Sequence, residues 1–209
     1  MANRWDKTYI SKRRLEDKLK YMDGVPYYQG RFLIERESPI DGGVYLGQGQ
    51  REAIIVDSQK GIQLKKLYEI AKKKASENNK VKKYKVMDAV FETVGEFMKF
   101  DEDKAEEIVK EKNAGKDVKI NLDCFIENGV GVCRHMALTC GVLIEMFKKD
   151  GYVSGKPSVE RNSSEAGGHA WCRYTDNNEK SLILDVARGY IGLLENGICA
   201  WNYKRPSEI

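Results

Sequence analysis

The sequence predicts a single α+β domain, and three observations carry that expectation. From Cys133 onward, Met136, Ala137, Cys140, Leu143, Ile144 and Phe147 recur at three- and four-residue steps, the stripe of one face of a long α-helix. Residues 169–174 and 182–186 read as strands, and Thr175-Asp176-Asn177-Asn178-Glu179-Lys180 between them is turn sequence, so the two form a hairpin. Upstream, helical stripes follow short apolar strands with no internal repeat or low-complexity linker, and 209 residues are enough for one substantial core.

The elements follow in chain order. Residues 1–22 are basic, through Lys12, Arg13, Arg14, Lys18 and Lys20, and read as partly helical. They make residues 1–25 a basic N-terminal extension and residues 26–209 the domain. Phe32-Leu33-Ile34 and Ala53-Ile54-Ile55-Val56 read as strands, with turns at Asp41-Gly42-Gly43 and Gly47-Gln48-Gly49-Gln50. The second turn is not a phosphate loop, because no Gly-Lys-Ser/Thr follows it. Residues 61–76 form an amphipathic helix through Ile62, Leu64, Leu67, Tyr68, Ile70 and Ala71, and residues 83–98 a second through Val86, Val90, Phe91, Val94, Phe97 and Met98. Residues 101–112 form a short charged helix behind an acidic cap, Asp101, and Ala114-Gly115-Lys116-Asp117 ends it.

Composition narrows the function classes. With 33% charged and 41% hydrophobic residues the chain is globular rather than disordered. No apolar run approaches membrane-spanning length, and Met-Ala-Asn-Arg-Trp-Asp-Lys lacks the apolar core of a signal peptide, so no membrane and a cytoplasmic location are expected. Five cysteines without Cys-x-x-Cys spacing fit reduced thiols better than a disulfide framework. Lys72, Lys73, Lys74, Lys82, Lys83 and Lys85 form a cluster, but net charge is only +4 and no aromatic residues are interleaved. The cluster reads as the solvated face of helices rather than as a nucleic-acid surface.

Three residues carry candidate chemistry. Gly129 and Gly131 allow a tight entry to the helix, and Cys133 lies in its first turn. Free N–H groups and partial positive charge at a helix N-terminus stabilise a thiolate, and can stabilise an oxyanion on an attacked carbonyl. The competing reading of Cys133 is a small core residue, which most free cysteines are. His169 is one of only two histidines; it opens its strand after Gly167-Gly168, on the face shared by Trp171 and Arg173. Leu182-Ile183-Leu184-Asp185-Val186 places an acid in an apolar run, which is costly unless the acid is paired. A histidine on the neighbouring strand is a natural partner, giving thiolate, imidazole and orienting carboxylate. Equally, His169 can be a satisfied core histidine and Asp185 a cap on the following turn.

Gly131-Val132-Cys133, His169-Ala170-Trp171 and Leu184-Asp185, in that order, resemble the transglutaminase-like superfamily of papain-related cysteine enzymes. The resemblance covers about residues 120–190. It implies a papain/transglutaminase-like fold, with a helix bearing the nucleophile packed on an antiparallel sheet that bears the other two residues. It also implies a catalytic set of Cys133, His169 and Asp185, no cofactor, and a protein or peptide substrate. Cross-linking relatives usually carry Trp after the cysteine, where this chain has Arg134, and often Pro after the aspartate, where it has Val186. Hydrolysis or deamidation of an amide is therefore expected ahead of amine transfer. A binding module that kept the fold and lost turnover is the reading from another class.

Trp171, Arg134 and His135 adjoin the three and are candidates for substrate contact or for supporting them. His135 sits two residues past Cys133, so on a helix it points away from the nucleophile's face, as a group that supports the three or faces the substrate, or as a partly exposed residue near the cleft. Tyr45, Gln48 and Gln50 are upstream candidates for a further oxyanion donor. Zinc is the rival use of Cys124, Cys133, His135, Cys140, His169 and Cys172, but their spacing does not resemble paired zinc knuckles, and no metal is expected.

Overall fold

The helix that begins at Cys133 lies at the centre of the molecule. It spans Cys133–Lys149, and besides the six residues of the expected stripe, Leu138, Thr139, Gly141 and Val142 are also buried. A helix covered on nearly every side belongs between other layers rather than on a surface. The computed structural model describes residues 12–47, 51–112, 117–164, 167–196 and 202–208.

In chain order the named elements are β1 (Leu19–Met22), β2 (Val25–Tyr28), β3 (Arg31–Phe32), β4 (Val44–Leu46), β5 (Ala53–Ile55), α1 (Ile62–Lys74), β6 (Ser76–Glu77) and β7 (Lys80–Val81). There follow α2 (Val86–Phe97), β8 (Lys99–Phe100), α3 (Glu102–Glu111), β9 (Lys119–Asn121), α4 (Leu122–Glu127), β10 (Val130–Gly131) and the central helix, α5. The chain ends with β11 (Lys156–Ser164), β12 (Gly167–Thr175), β13 (Ser181–Asp185) and β14 (Tyr190–Leu193). The class is α+β. Strands β11 to β14 form an antiparallel meander in chain order. Val159, Ala170, Cys172 and Leu184 of this sheet share one core with the apolar residues of α5, α1 and α2. A second sheet, β4-β5-β9, pairs β5 with β9 in parallel.

Several expectations change. Of the basic, partly helical N-terminal extension, residues 12–14 and Glu16–Lys18 are helical, whereas residues 19–22 form a strand that pairs with β2. Leu15 and Leu19 are buried with Tyr28, Leu33, Val44, Leu46 and Ala53. Arg14 donates to both carboxylate oxygens of Asp117 at 2.6 Å. The division at residue 25 thus falls inside a hairpin whose apolar side chains belong to the body. Ile62 and Phe97, placed by period on the core faces of their helices, are 65% and 43% exposed. Both sit at helix ends, where the neighbouring layer no longer covers the stripe. Asp101 caps α3 by accepting from the Lys104 N–H at 3.0 Å. The lysine cluster is interleaved with carboxylates: Lys72 pairs with Asp150, Lys74 with Glu92 and Glu96, and Lys85 with Glu77.

Helix α1 is capped from elsewhere in the chain. Its N-cap residue, Gly61, has no side chain to offer. Asp123, in the first turn of α4, accepts from the N–H groups of Gln63 at 2.9 Å and Leu64 at 3.0 Å. A Cβ on Gly61 would lie 2.8 Å from Asp123 Oδ1, so the glycine makes room for the carboxylate. Asp123→Ala leaves two helix donors without this acceptor and should destabilise the fold by about 1–3 kcal/mol in urea unfolding. Asp123→Asn, which keeps one oxygen, should cost less.

Candidate active site

The start of α5 is built by side chains around it. Val132 occupies the N-cap and has no acceptor on its side chain. His135 fills the gap, its Nδ1 accepting from the Val132 N–H at 3.0 Å. Gly131 permits this, because a Cβ there would lie 2.8 Å from His135 Cβ and 2.9 Å from Met98 Cε. Cys133 is thereby the first residue of the helix, with its N–H in the turn that has no intrahelical acceptor.

His169 and Asp185 come from neighbouring strands. Cys172 pairs with Leu184, so Asp185 lies across from Trp171 on one face of the sheet, and His169 lies one side-chain pair further along it. The Nε2–H of His169 donates to Asp185 Oδ2 at 2.6 Å. The Tyr203 hydroxyl donates to the same oxygen at 2.8 Å, and the Arg188 N–H reaches Oδ1 at 3.3 Å. Pairing of β12 with β13 covers residues 172–175, which leaves the Ala170 edge open. Cys133 stands there with His169 and Ala170 around one cleft, and the His169 ring and the Ala170 N–H both act on its thiol. With Nε2 engaged by Asp185, Nδ1 is the nitrogen left to face the sulfur.

Charge follows from these contacts. Burial raises the Cys133 thiol, but the hydrogen bond and charge of His169, the Ala170 N–H and the Arg134 charge outweigh it, and the net shift is downward. Burial opposes the imidazolium of His169, yet hydrogen bonds to Asp185 and Cys133, with their charges, push its pKa up to about 9. The two shifts share one cause, since each group in its charged form favours the charged form of the other.

A second buried acid holds the other side of the helix start. Glu52 is 3% exposed and precedes β5. Its Oε1 accepts from Arg134 Nε at 2.9 Å, from an Arg134 terminal nitrogen at 2.6 Å and from His135 Nε2 at 3.2 Å. Burial raises its pKa, but His135 and Arg134 together bring it down to about 2. His135 is buried completely, stacked on Phe125 with ring centroids 3.7 Å apart. Burial, then the Arg134 charge, lower its pKa to about 4 against the pull of Glu52.

A cleft of about 320 Å³ opens over the sulfur, lined by Tyr45, Gly47, Arg51, Cys133, Arg134, Arg161, Asn162, Gly168, His169 and Ala170. The residues expected at the site therefore divide. Cys133 and His169 line the cleft, and Asp185 stands behind His169. Arg134 and Tyr45 line it too. His135 does not: the reading as a partly exposed residue near the cleft is corrected to a fully buried cap, because its ring turns toward Phe125 and Glu52. Trp171 is 1% exposed and packs edge-on against Tyr203 on the outer face of the sheet, so it touches the cleft only through His169. Gln48, Gln50 and Cys199 lie outside the described residues. Among the described residues no group of three or more His, Cys, Asp or Glu is arranged to hold a metal ion. No described helix is long and apolar enough to cross a membrane.

Glu52, Tyr203 and Arg161 are absent from the sequence reading. Glu52 was discoverable, since an acid abutting the apolar run 53–56 is the same signal that singles out Asp185. Tyr203 and Arg161 sit in polar stretches whose pattern specifies no partner. Comparisons with protein-family models, curated proteins and solved structures yield no match.

The His135 shift carries a pH dependence. In the unfolded chain the ring takes up a proton near its ordinary value of 6.5, whereas in the fold it does so only near 4. Between these values the unfolded state binds more protons, so stability falls as pH drops through the window. Thermal melting from neutral pH to about pH 4 should show this loss. His135→Gln, which keeps a donor and an acceptor but does not titrate, should flatten it.

Proposed function

We propose that the protein is a cysteine-dependent acyl-transfer enzyme with a papain/transglutaminase-like fold, hydrolysing or deamidating an amide of a protein or peptide. One observation carries this reading: a cysteine at the N-terminus of a buried helix shares a cleft with a histidine that lowers its pKa and whose Nε2 is held by a buried aspartate. The packing of that helix against an antiparallel meander bearing the other two residues supports the fold assignment.

Each group has a role that follows from its position. The Cys133 thiolate attacks the carbonyl, and the charge that develops on oxygen falls near the unpaired N–H groups of the first helical turn. The His169 imidazolium gives its proton to the leaving amine, and the acyl group stays on sulfur. The neutral imidazole then takes a proton from an incoming water, which releases the acid and restores the thiolate. Asp185 keeps Nε2–H pointing inward and stabilises the charged ring without taking its proton. Tyr203 and Arg188 hold Asp185 in turn. Arg134, tied back to Glu52, stands where cross-linking relatives usually have Trp, which favours water over an amine as acceptor. A cytoplasmic setting suits the free thiols of Cys124, Cys133, Cys140 and Cys172.

Iodoacetamide at about pH 6 should alkylate Cys133 first, since its thiol ionises most readily. Cys140 and Cys172, whose thiols burial pushes up, should stay unmodified in the native protein. His169→Ala should slow labelling of Cys133 at that pH by removing the imidazolium. Cys133→Ser should nearly abolish turnover, and Asp185→Asn should cut it by more than about tenfold with the fold intact. A glutamine peptide offered with and without a primary amine separates hydrolysis from transfer. Predominant amine incorporation would overturn the hydrolase preference, and full activity in Cys133→Ala would remove the nucleophile. Slow, unselective labelling of Cys133 would leave a binding module.

A further inference from the structure

We infer that Tyr45 is a catalytic residue whose hydroxyl donates a hydrogen bond to the oxyanion formed when Cys133 attacks a carbonyl; this rests on the acyl-transfer reading above and names a side-chain donor for it. A carbonyl attacked by the sulfur turns its leaving group toward His169, the proton source, so its oxygen has to be met from another wall. His169 lines the cleft from β12 of the meander. Tyr45 lines the same cleft from β4, which belongs to the other sheet.

A phenolic hydroxyl has one proton to give and can also accept. The Tyr45 oxygen accepts from an Arg161 terminal nitrogen at 3.1 Å, and a guanidinium has no acceptor to take the Tyr45 proton in return. Among the described residues no hydrogen bond takes that proton. Yet Tyr45 is only 4% exposed, and a buried donor without an acceptor costs free energy. The cleft that Tyr45 lines is where an acceptor can enter. Asn162, the other amide or hydroxyl side chain in the lining, directs its Nδ2 to the Asn202 carbonyl at 3.0 Å and the Lys204 carbonyl at 3.4 Å. Tyr45 is also fixed before any substrate arrives. The Arg161 guanidinium lies 4.9 Å from its ring centroid, and the nitrogen that meets its oxygen donates to the Leu46 carbonyl at 2.9 Å as well. A charged donor on the hydroxyl oxygen polarises the O–H and strengthens the hydrogen bond it gives. A donor set in advance needs no reorganisation when charge develops on the attacked oxygen.

Two reagents that modify the same sulfur separate this role from the nucleophile's. With p-nitrophenyl acetate the Cys133 thiolate bonds to the carbonyl carbon and the C=O electron pair moves onto oxygen. Collapse of that oxyanion breaks the ester C–O bond and expels p-nitrophenolate, which leaves without a proton. With iodoacetamide the thiolate displaces iodide from a saturated carbon, and no oxyanion forms. Tyr45→Phe deletes the hydroxyl, keeps the ring beside Arg161 and leaves Arg161 its Leu46 carbonyl. It should slow acylation of Cys133 by about tenfold or more while alkylation changes by less than about twofold. His169→Ala, by contrast, should slow both. Unchanged alkylation also shows that the variant has folded around the sulfur. An equal loss of both rates in Tyr45→Phe assigns the hydroxyl to packing alone, and an unchanged acylation rate assigns the oxyanion to backbone N–H groups. Either result overturns the catalytic role of Tyr45 and leaves the nucleophile standing. If Cys133 of the native protein is acylated no faster than the other cysteines, the acyl-transfer reading fails first and takes this inference with it.

Discussion

Glu52 joins the two halves of the structure. It directly precedes β5, the central strand of the β4-β5-β9 sheet, and grips Arg134 and His135, the two residues after the cysteine on α5. A carboxylate so far from water is costly unless several donors meet it. Here the guanidinium supplies two and the imidazole a third. The arrangement fixes His135, which in turn caps Val132 and sets the first turn of the helix. The position of Cys133 thus depends on an acid more than eighty residues upstream.

The only two histidines of the chain both sit in buried carboxylate pairs, with opposite electrostatic outcomes. Beside Glu52, complete burial opposes a charged ring and Arg134, which already balances the carboxylate, repels a second cation, so His135 stays neutral down to about pH 4. Beside Asp185 the histidine is itself the cation. It faces a thiol on its other side, and its charge persists up to about pH 9. The same residue type is a rigid cap in one place and an acid–base group in the other. The difference lies in how completely the ring is buried and in which neighbour supplies the positive charge.

Much of this was legible in the residues. The helix from Cys133, the hairpin through Asp176–Lys180 and the helices at 61–76, 83–98 and 101–112 follow from hydrophobic period and turn chemistry, which act over a few residues. Strand β11 was not legible, because Glu160, Arg161 and Asn162 break any apolar alternation and are buried through ion pairs and hydrogen bonds instead. Nor was the role of the N-terminal segment, whose Leu15 and Leu19 become core only against β2 and β4. Cys133, His169 and Asp185 stood out as unusual residues in ordered segments. Tyr203 did not, since its hydroxyl meets Asp185 only once the C-terminal segment lies along the sheet.

The sequence by itself determined the class of fold, the helix that presents Cys133, and the strand face shared by His169 and Trp171, because local periodicity sets which way successive side chains point. Only the tertiary structure decided what those side chains meet. It turned His135 from a cleft residue into a buried cap, placed Trp171 under Tyr203, and gathered Arg51, Arg134 and Arg161 around one sulfur. Burial and charge act through space, and the groups that shift each pKa or line the cleft come from segments far apart along the chain.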